Sequence, residues 1–246
     1  MTATAIAPRS LLGIDDLSED ELHALLDLAA VMKRHPLAWR GSLEGRAVAC
    51  VFEQASMRTQ VSLEVAAHRL GALPVVVGSH GDDIPDATRS LSSYCDAIAV
   101  RTGRHRDLLE GAEHATVPVI NAMTDREHPA RALADCLALR ERFGGLDGLQ
   151  IAYVGAREPG MHSLLEAAVL AGMTVRVAAP EDALPDPALL ARAGAAVRLY
   201  ATPREATAGA AMVFTSGEPR PIEVAMNLLP VEQAVLRVLV TGDWER

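Results

Sequence analysis

The stretch VPVINAMTDREHPARALADCLALRERFGGLDGLQIAYVG, residues 117–155, decides how the chain is read. It opens on a short apolar run, VPVI, whose β-branched residues suit a buried strand. A polar loop follows, and Pro129 marks the first turn of a helix, where a missing N–H costs little. PARALADCLALRERFG carries apolar residues at helical spacing, and the Gly144–Gly145 pair ends it. A second apolar run, LQIAYVG, begins at Leu149. Strand, helix and strand in this order argue for a parallel sheet with helices on its faces.

The same rhythm extends both ways. Upstream, AVACVF at 47–52, PVVV at 74–77 and AIAV at 97–100 read as further buried strands, with RTQVSLEVAAHRLG from Arg58 as a helix between them. Earlier still, SEDELHALLDLAAVMKRH opens on a capping box of Ser18 and Glu21, presents Leu22, Leu25, Leu26 and Ala29 on one face, and stops at Pro36. Downstream come a helix from Met161, a strand TVRVAA at 174–179, a Pro-rich break and a strand AMVFTS at 211–216. IEVAMNLLPVEQAVLRVLV closes the pattern as a long helix in which Pro230 is a kink or a start. The expectation is an α/β protein of two Rossmann-like domains, each a parallel sheet flanked by helices. Residues 1–144 form the first and 145–221 the second, with a C-terminal helix at 222–241 returning to the first.

Composition narrows the function classes. Of 246 residues, 50% are hydrophobic and 3% aromatic, so the core is built from Ala, Val and Leu rather than rings, and disorder is excluded. The net charge of −9 argues against nucleic acid as a partner, though not against a local basic pocket. Cys50, Cys95 and Cys136 are widely spaced, so neither a zinc site nor a disulfide framework is expected. MTATAIAPRSLLGI lacks the basic and apolar regions of a signal peptide, and no stretch reaches the ~20 apolar residues of a membrane span. A cytoplasmic protein without a membrane partner is the expectation. Lys33 is the only lysine, so nearly all positive charge is arginine.

Four segments could carry chemistry. In FEQASMRTQVSLEVAAHRLGA, residues 52–72, a strand ends, Ser56 and Thr59 bracket Arg58, and a helix begins. A helix N-terminus with two hydroxyls and a guanidinium suits a phosphate, although an ordinary N-cap has the same appearance. In DAIAVRTG, Arg101 follows a buried strand, at the sheet edge where ligands bind in open α/β folds. In the opening stretch, His128 sits at the loop–helix junction with Arg131 one turn on. In LQIAYVGAREPGMHSLLEAAVLAGM, residues 149–173, Gly155 and Gly160 punctuate a strand–turn–helix, but no dinucleotide fingerprint is present. Arg157, Glu158 and His162 gather polar character there, as a ligand contact or a solvated helix start.

VSLEVAAHRLG, VPVINAMTDREHP and ALADCLALRERFGGLDGLQIAYVG together resemble the aspartate/ornithine carbamoyltransferases, nearer the ornithine branch. The resemblance runs from about Ser10 to Met212. It implies a first domain for carbamoyl phosphate, a second for an amino-acid acceptor, a homotrimer, and neither metal nor organic cofactor. The family's serine-threonine-arginine-threonine-arginine signature is answered by Ser56-Met57-Arg58-Thr59-Gln60. By position, Ser56, Met57, Arg58 and Thr59 would hold phosphate, with Thr59, Arg101 and His128 acting on the carbamoyl group.

Several positions depart from the family pattern. Met57 and Gln60 stand for a threonine and an arginine, and Arg131 stands where the family has a glutamine that contacts the carbamoyl group. Asn227-Leu228 answers an asparagine-arginine pair whose arginine reaches carbamoyl phosphate, and Arg131 is expected to replace part of that charge. Ala156-Arg157-Glu158-Pro159 answers aspartate-glycine-asparagine-asparagine, putting Pro159 where ornithine is recognised. Gly217-Glu218-Pro219 runs almost at once into the last helix, without the family's two acceptor loops, and the length is short by tens of residues. His80, in GSHGDD, sits where the aspartate branch has a lysine serving a neighbouring subunit's site.

The first reading is therefore a transferase with a partly retained carbamoyl phosphate or similar anion pocket and a dismantled ornithine site, acting on a non-standard amine or amino acid. Arg157, Glu158 and His162 would then face the acceptor. The alternatives are a catalytically silent binding or assembly partner, and a genuine ornithine carbamoyltransferase with unusual loops.

Overall fold

The computed structural model describes residues 9–78, 83–217 and 225–244. The residues before Arg9, His80 and its neighbours, and Glu218–Pro219 lie outside that range, as do the first positions of the expected C-terminal helix. Two parallel four-stranded sheets organise the chain. In the first, β1 (Ala47–Phe52), β2 (Leu73–Gly78), β3 (Ala97–Arg101) and β4 (Val119–Met123) stand in the order β2-β1-β3-β4. In the second, β5 (Gln150–Val154), β6 (Thr174–Ala178), β7 (Val197–Leu199) and β8 (Met212–Thr215) stand in the order β7-β6-β5-β8. The chain reverses direction across each sheet beside its first strand, and such switch points open a crevice at the strand C-termini.

The helices cover both faces. They are α1 (Glu19–Arg34), α2 (Met57–Arg69), α3 (Ile84–Leu91), α4 (His105–His114) and α5 (Pro129–Phe143) in the first half. α6 (Pro159–Leu170), α7 (Pro187–Ala193), α8 (Pro203–Thr207) and α9 (Leu228–Thr241) follow. The capping box of α1 forms as expected: the Glu21 N–H donates to Ser18 Oγ at 3.3 Å, and the Ser18 N–H donates to Glu21 Oε2 at 2.8 Å. Arg9 pairs with the same glutamate and tethers the N-terminal segment to α1.

On one face of the first sheet, Ala49, Val51, Ile98 and Val100 pack with Ile84 and Leu108 of α3 and α4. On the other, Val48, Cys50 and Ala99 join α1, α2, α5 and α9 in a core that continues into α6 and the second sheet. The two sheets therefore share one hydrophobic body along α5 and α6. Gly144, at φ +82°, turns the chain out of α5, a conformation that a Cβ would penalise.

Some boundaries differ from the sequence expectation, for local reasons. VPVI was expected as the fourth strand, but β4 starts at Val119 and runs on through Asn121. That polar side chain is accommodated because its Nδ2 donates to the Leu12 carbonyl at 2.7 Å, while Leu11 bridges to Ile120 as a short extra ribbon. Of the expected 222–241 helix, residues 222–224 lie outside the described range, and the helix that packs in the core runs Leu228–Thr241 with Pro230 in its first turn. The edge strand β7 escapes sequence reading because only Val197 of its three residues is buried. No helix among the described residues is long and apolar enough to cross a membrane. The three cysteines are free and buried.

Candidate active site

The C-terminal ends of β1, β3 and β4 deliver side chains to one place. After β1, the chain turns through Ser56 into α2. Ser56 gives its hydroxyl to Thr59 Oγ1 at 3.1 Å rather than capping a first-turn N–H. The helix end thus keeps donors for a ligand, and its dipole favours an anion there. Met57, the first residue of α2, is exposed. Arg58 is exposed and Thr59 buried.

From β3, Arg101 reaches Thr59 Oγ1 at 3.4 Å, and its Nε is buried without a hydrogen-bond partner among the described atoms. Burial, and secondarily the nearby Arg58, lower the Arg101 pKa. Two guanidiniums that disfavour each other's charge are an invitation to an anion. A register shift between Val100 and Arg101 against β4, with Met123 at φ +141°, ends the regular ladder where Arg101 leaves the sheet. The Met123 N–H is held by Asn121 Oδ1 at 2.9 Å, which fixes this irregular turn.

From the loop after β4, His128 caps α5. Its N–H donates to Ser163 Oγ on α6 at 2.9 Å, so the second half of the chain holds the first half's histidine in place. The ring is buried and its Nδ1 has no partner among the described atoms. Burial, then Arg131 and Arg101, push its pKa down to about 3, so the ring is neutral near pH 7 and donates only through one N–H. Arg131 lies on the first turn of α5 against α6; a Cβ built on Gly160 would sit 3.4 Å from its Nε. Ser56, Arg58, Thr59, Arg101, His128 and Arg131 therefore gather as a basic cluster at the strand ends of the first sheet.

The acceptor candidates separate. Arg157 is exposed on the loop after β5. Glu158 caps α6, receiving the Gly217 N–H on Oε2 at 3.4 Å, while Oε1 is buried without a partner among the described atoms. Gly155 makes this turn possible: at φ +125°, a Cβ would stand 2.1 Å from Ser216 Oγ. His162, expected beside Arg157 and Glu158, instead faces Glu127 and Glu166, at 3.6 and 3.8 Å from its Nδ1. Burial drives its pKa down to about 4 and that of Glu127 up to about 8.

The Asn227-Leu228 pair also lies elsewhere. Asn227 Oδ1 accepts from Lys33 Nζ at 2.6 Å, and its Nδ2 donates to Glu141 Oε2 at 3.0 Å. Glu141 is ten residues beyond Arg131 on α5, roughly 15 Å along the axis at 1.5 Å per residue. The lone lysine thus clamps the ends of α1, α5 and α9.

Sequence reading missed Ser163 and Glu127. Ser163 follows His162 with no motif of its own, and Glu127 reads as a loop acid beside the histidine. Their roles depend on how α6 docks against the α5 loop, which no local spacing reports.

By class, the chain is a pair of Rossmann-like α/β halves with arginines and a buried histidine gathered at the strand ends of the first. Residues 9–141 match the family described as "Aspartate/ornithine carbamoyltransferase, carbamoyl-P binding domain". The ornithine carbamoyltransferase of Gloeobacter violaceus is 42% identical over 226 residues, covering 87% of this chain and 71% of the relative. That of Acidothermus cellulolyticus is 45% identical over 220 residues, covering 84% and 70%. The crystal structure of ornithine carbamoyltransferase from Thermus thermophilus superposes with a TM-score of 0.88 at 34% identity, covering 96% of this chain and all of that one. The chain belongs to the aspartate/ornithine carbamoyltransferase family, on its ornithine side.

Proposed function

We propose that this chain is a carbamoyltransferase, taking carbamoyl phosphate in the basic pocket and passing its carbamoyl group to the side-chain amine of ornithine. The observation that carries this reading is the convergence of Arg58, Arg101, Arg131 and His128 at the strand ends. The acceptor is argued from likeness to relatives called ornithine carbamoyltransferases. It displaces the dismantled ornithine site as the leading reading.

In this reading the α2 N-terminus, Ser56, Arg58 and Thr59 hold the phosphate. The neutral amine attacks the carbamoyl carbon, the bond from that carbon to the phosphate oxygen breaks, and phosphate leaves taking up the proton that the amine gives up. Negative charge growing on the carbonyl oxygen is met by Arg101 and the neutral His128 ring, fixed donors that need no reorganisation. Arg131 adds charge on the cleft side. Arg157 is suited to the acceptor's carboxylate and the unpartnered Glu158 oxygen to an amine. The proposed organisation is a carbamoyl phosphate domain over 1–144, an acceptor domain over 145–221, and a cytoplasmic homotrimer with no metal or organic cofactor required for transfer.

A second reading, a different amine as acceptor, is favoured by one observation. Pro159 opens α6 where the resemblance puts an asparagine, so no side-chain donor or acceptor stands at that position. A site that loses a polar partner changes its selectivity. Phosphate release from carbamoyl phosphate with ornithine, and with a panel of other amines and amino acids, tests both. Turnover with ornithine above all others supports the proposal; turnover only with another amine selects the second reading. No turnover with any amine, although carbamoyl phosphate binds, selects the silent partner.

A further inference from the structure

We propose that Glu127, His162 and Glu166 form a binding site for one divalent transition-metal ion of the zinc type, joining the two halves of the chain. His162 and Glu166 are one turn apart on α6 and so share a face. Glu127 comes from the opposite half, in the loop before α5. One ligand atom from each of the three lies within 4.8 Å of the others. The spacings from His162 Nδ1, 3.6 Å to Glu127 Oε1 and 3.8 Å to Glu166 Oε2, are too long for hydrogen bonds. They are close to the edge of a tetrahedron around an ion with bonds of about 2.1 Å, which is about 3.4 Å.

The second observation is the histidine itself. It is 95% buried, and neither ring nitrogen has a hydrogen-bond partner among the described atoms. A buried imidazole without partners, aimed between two carboxylates, needs something that accepts its lone pair. Glu166 Oε2 is likewise buried and unpartnered.

The outer oxygens are already committed. Glu127 Oε2 accepts from Ser163 Oγ at 3.2 Å, and Glu166 Oε1 accepts from Arg192 at 2.6 Å, so each carboxylate is oriented with one oxygen turned inward. Charge favours a dication. Asp15 and Asp186 border the cluster with the two glutamates, while Arg126 and Arg192 supply the positive charge. Four carboxyls against two guanidiniums reach a formal −2 once an ion displaces the proton that burial keeps on Glu127. Imidazole with carboxylates suits zinc better than magnesium, and the fourth position would hold water. The ion would pin the loop carrying His128 to α6. The ion takes no part in the transfer step and would bear on it only through the position of that loop.

The test uses the full-length protein after chelator treatment, titrated with zinc chloride by calorimetry and followed by thermal denaturation. The expectation is one equivalent per chain with a dissociation constant in the micromolar range or below, and a raised midpoint. Glu127→Gln, His162→Gln and Glu166→Gln should each weaken binding at least tenfold, and magnesium should not compete. Absence of saturable binding, or unchanged affinity in all three folded variants, overturns the site. An anomalous difference map from a zinc-soaked crystal of the parent protein decides without any variant. A peak among the three residues supports the proposal, and a peak elsewhere or none refutes it.

Discussion

Arg101 on β3 and Thr59 on α2 meet at 3.4 Å across the end of the first sheet, two elements brought together only by the parallel pairing of β1 with β3. The contact ties the guanidinium to the helix end that would hold phosphate. Arg101→Gln keeps a hydrogen-bonding side chain but removes the charge that the proposed transfer sets against the carbonyl oxygen. We expect it to lower kcat/KM for carbamoyl transfer by about 10²–10³-fold, the usual effect of deleting one such donor. Initial rates at limiting carbamoyl phosphate check this; a loss under threefold would contradict the assigned role.

Arg131 separates charge from shape in the same pocket. Arg131→Gln restores the family's residue at that position and removes one cation. If Arg131 supplies affinity, calorimetry will show carbamoyl phosphate bound several-fold more weakly. Unchanged binding would assign Arg131 to packing against Gly160 instead.

Ser163 receives the His128 N–H and donates to Glu127, linking α6 to the α5 loop twice. Ser163→Ala leaves a buried N–H and a buried carboxyl each short of a partner. The expected cost is about 1–3 kcal/mol, read as a lower urea midpoint at unchanged slope. A variant as stable as the parent would mean that water satisfies both groups.

Glu232 of α9 is buried, and burial pushes its pKa well above the ordinary 4.5 despite a hydrogen bond from Ser62. The folded protein therefore holds a proton that the unfolded chain releases above that value. Its contribution is full below pH 4.5 and is lost as pH rises toward the folded value, at roughly 1.4 kcal/mol per pH unit. Glu232→Gln removes that decline. Denaturation midpoints between about pH 5 and pH 8 should fall more steeply for the parent than for the variant. Parallel curves would show that Glu232 does not titrate on unfolding.

Leu73 and Val76 on edge strand β2, and Val61 on the adjoining α2, are large apolar side chains left exposed. Such a patch beside an unpaired strand edge is characteristic of an interface. Light scattering should give three times the chain's mass, and Val61→Glu with Leu73→Glu should shift it to one. A parent protein that is already monomeric would remove the trimer from the proposal.

The grouping of Ser56, Arg101 and His128 at the strand ends was legible because each sits where a strand stops or a helix starts, and those boundaries are written in local residues. Ser56, Arg101 and Pro129 mark three such boundaries in the sequence alone. His162 was misplaced for the opposite reason. Its neighbours in sequence, Arg157 and Glu158, point from the loop, whereas one further turn of α6 carries the ring round to Glu127. Asn227 likewise invited comparison with a substrate-binding pair, yet Lys33 and Glu141 draw it to the far end of α5. Docking of one helix on another decides both cases, and docking is a sum of long-range contacts that no window of sequence contains.

α9 completes a core that the first 143 residues begin, packing on α1, α2 and α5 after the entire second sheet has intervened in the chain. During synthesis, that half must wait with an apolar face uncovered until Thr241 has left the ribosome. Chaperone demand on the growing chain, and the outcome of any premature stop in the second half, follow from that order of emergence.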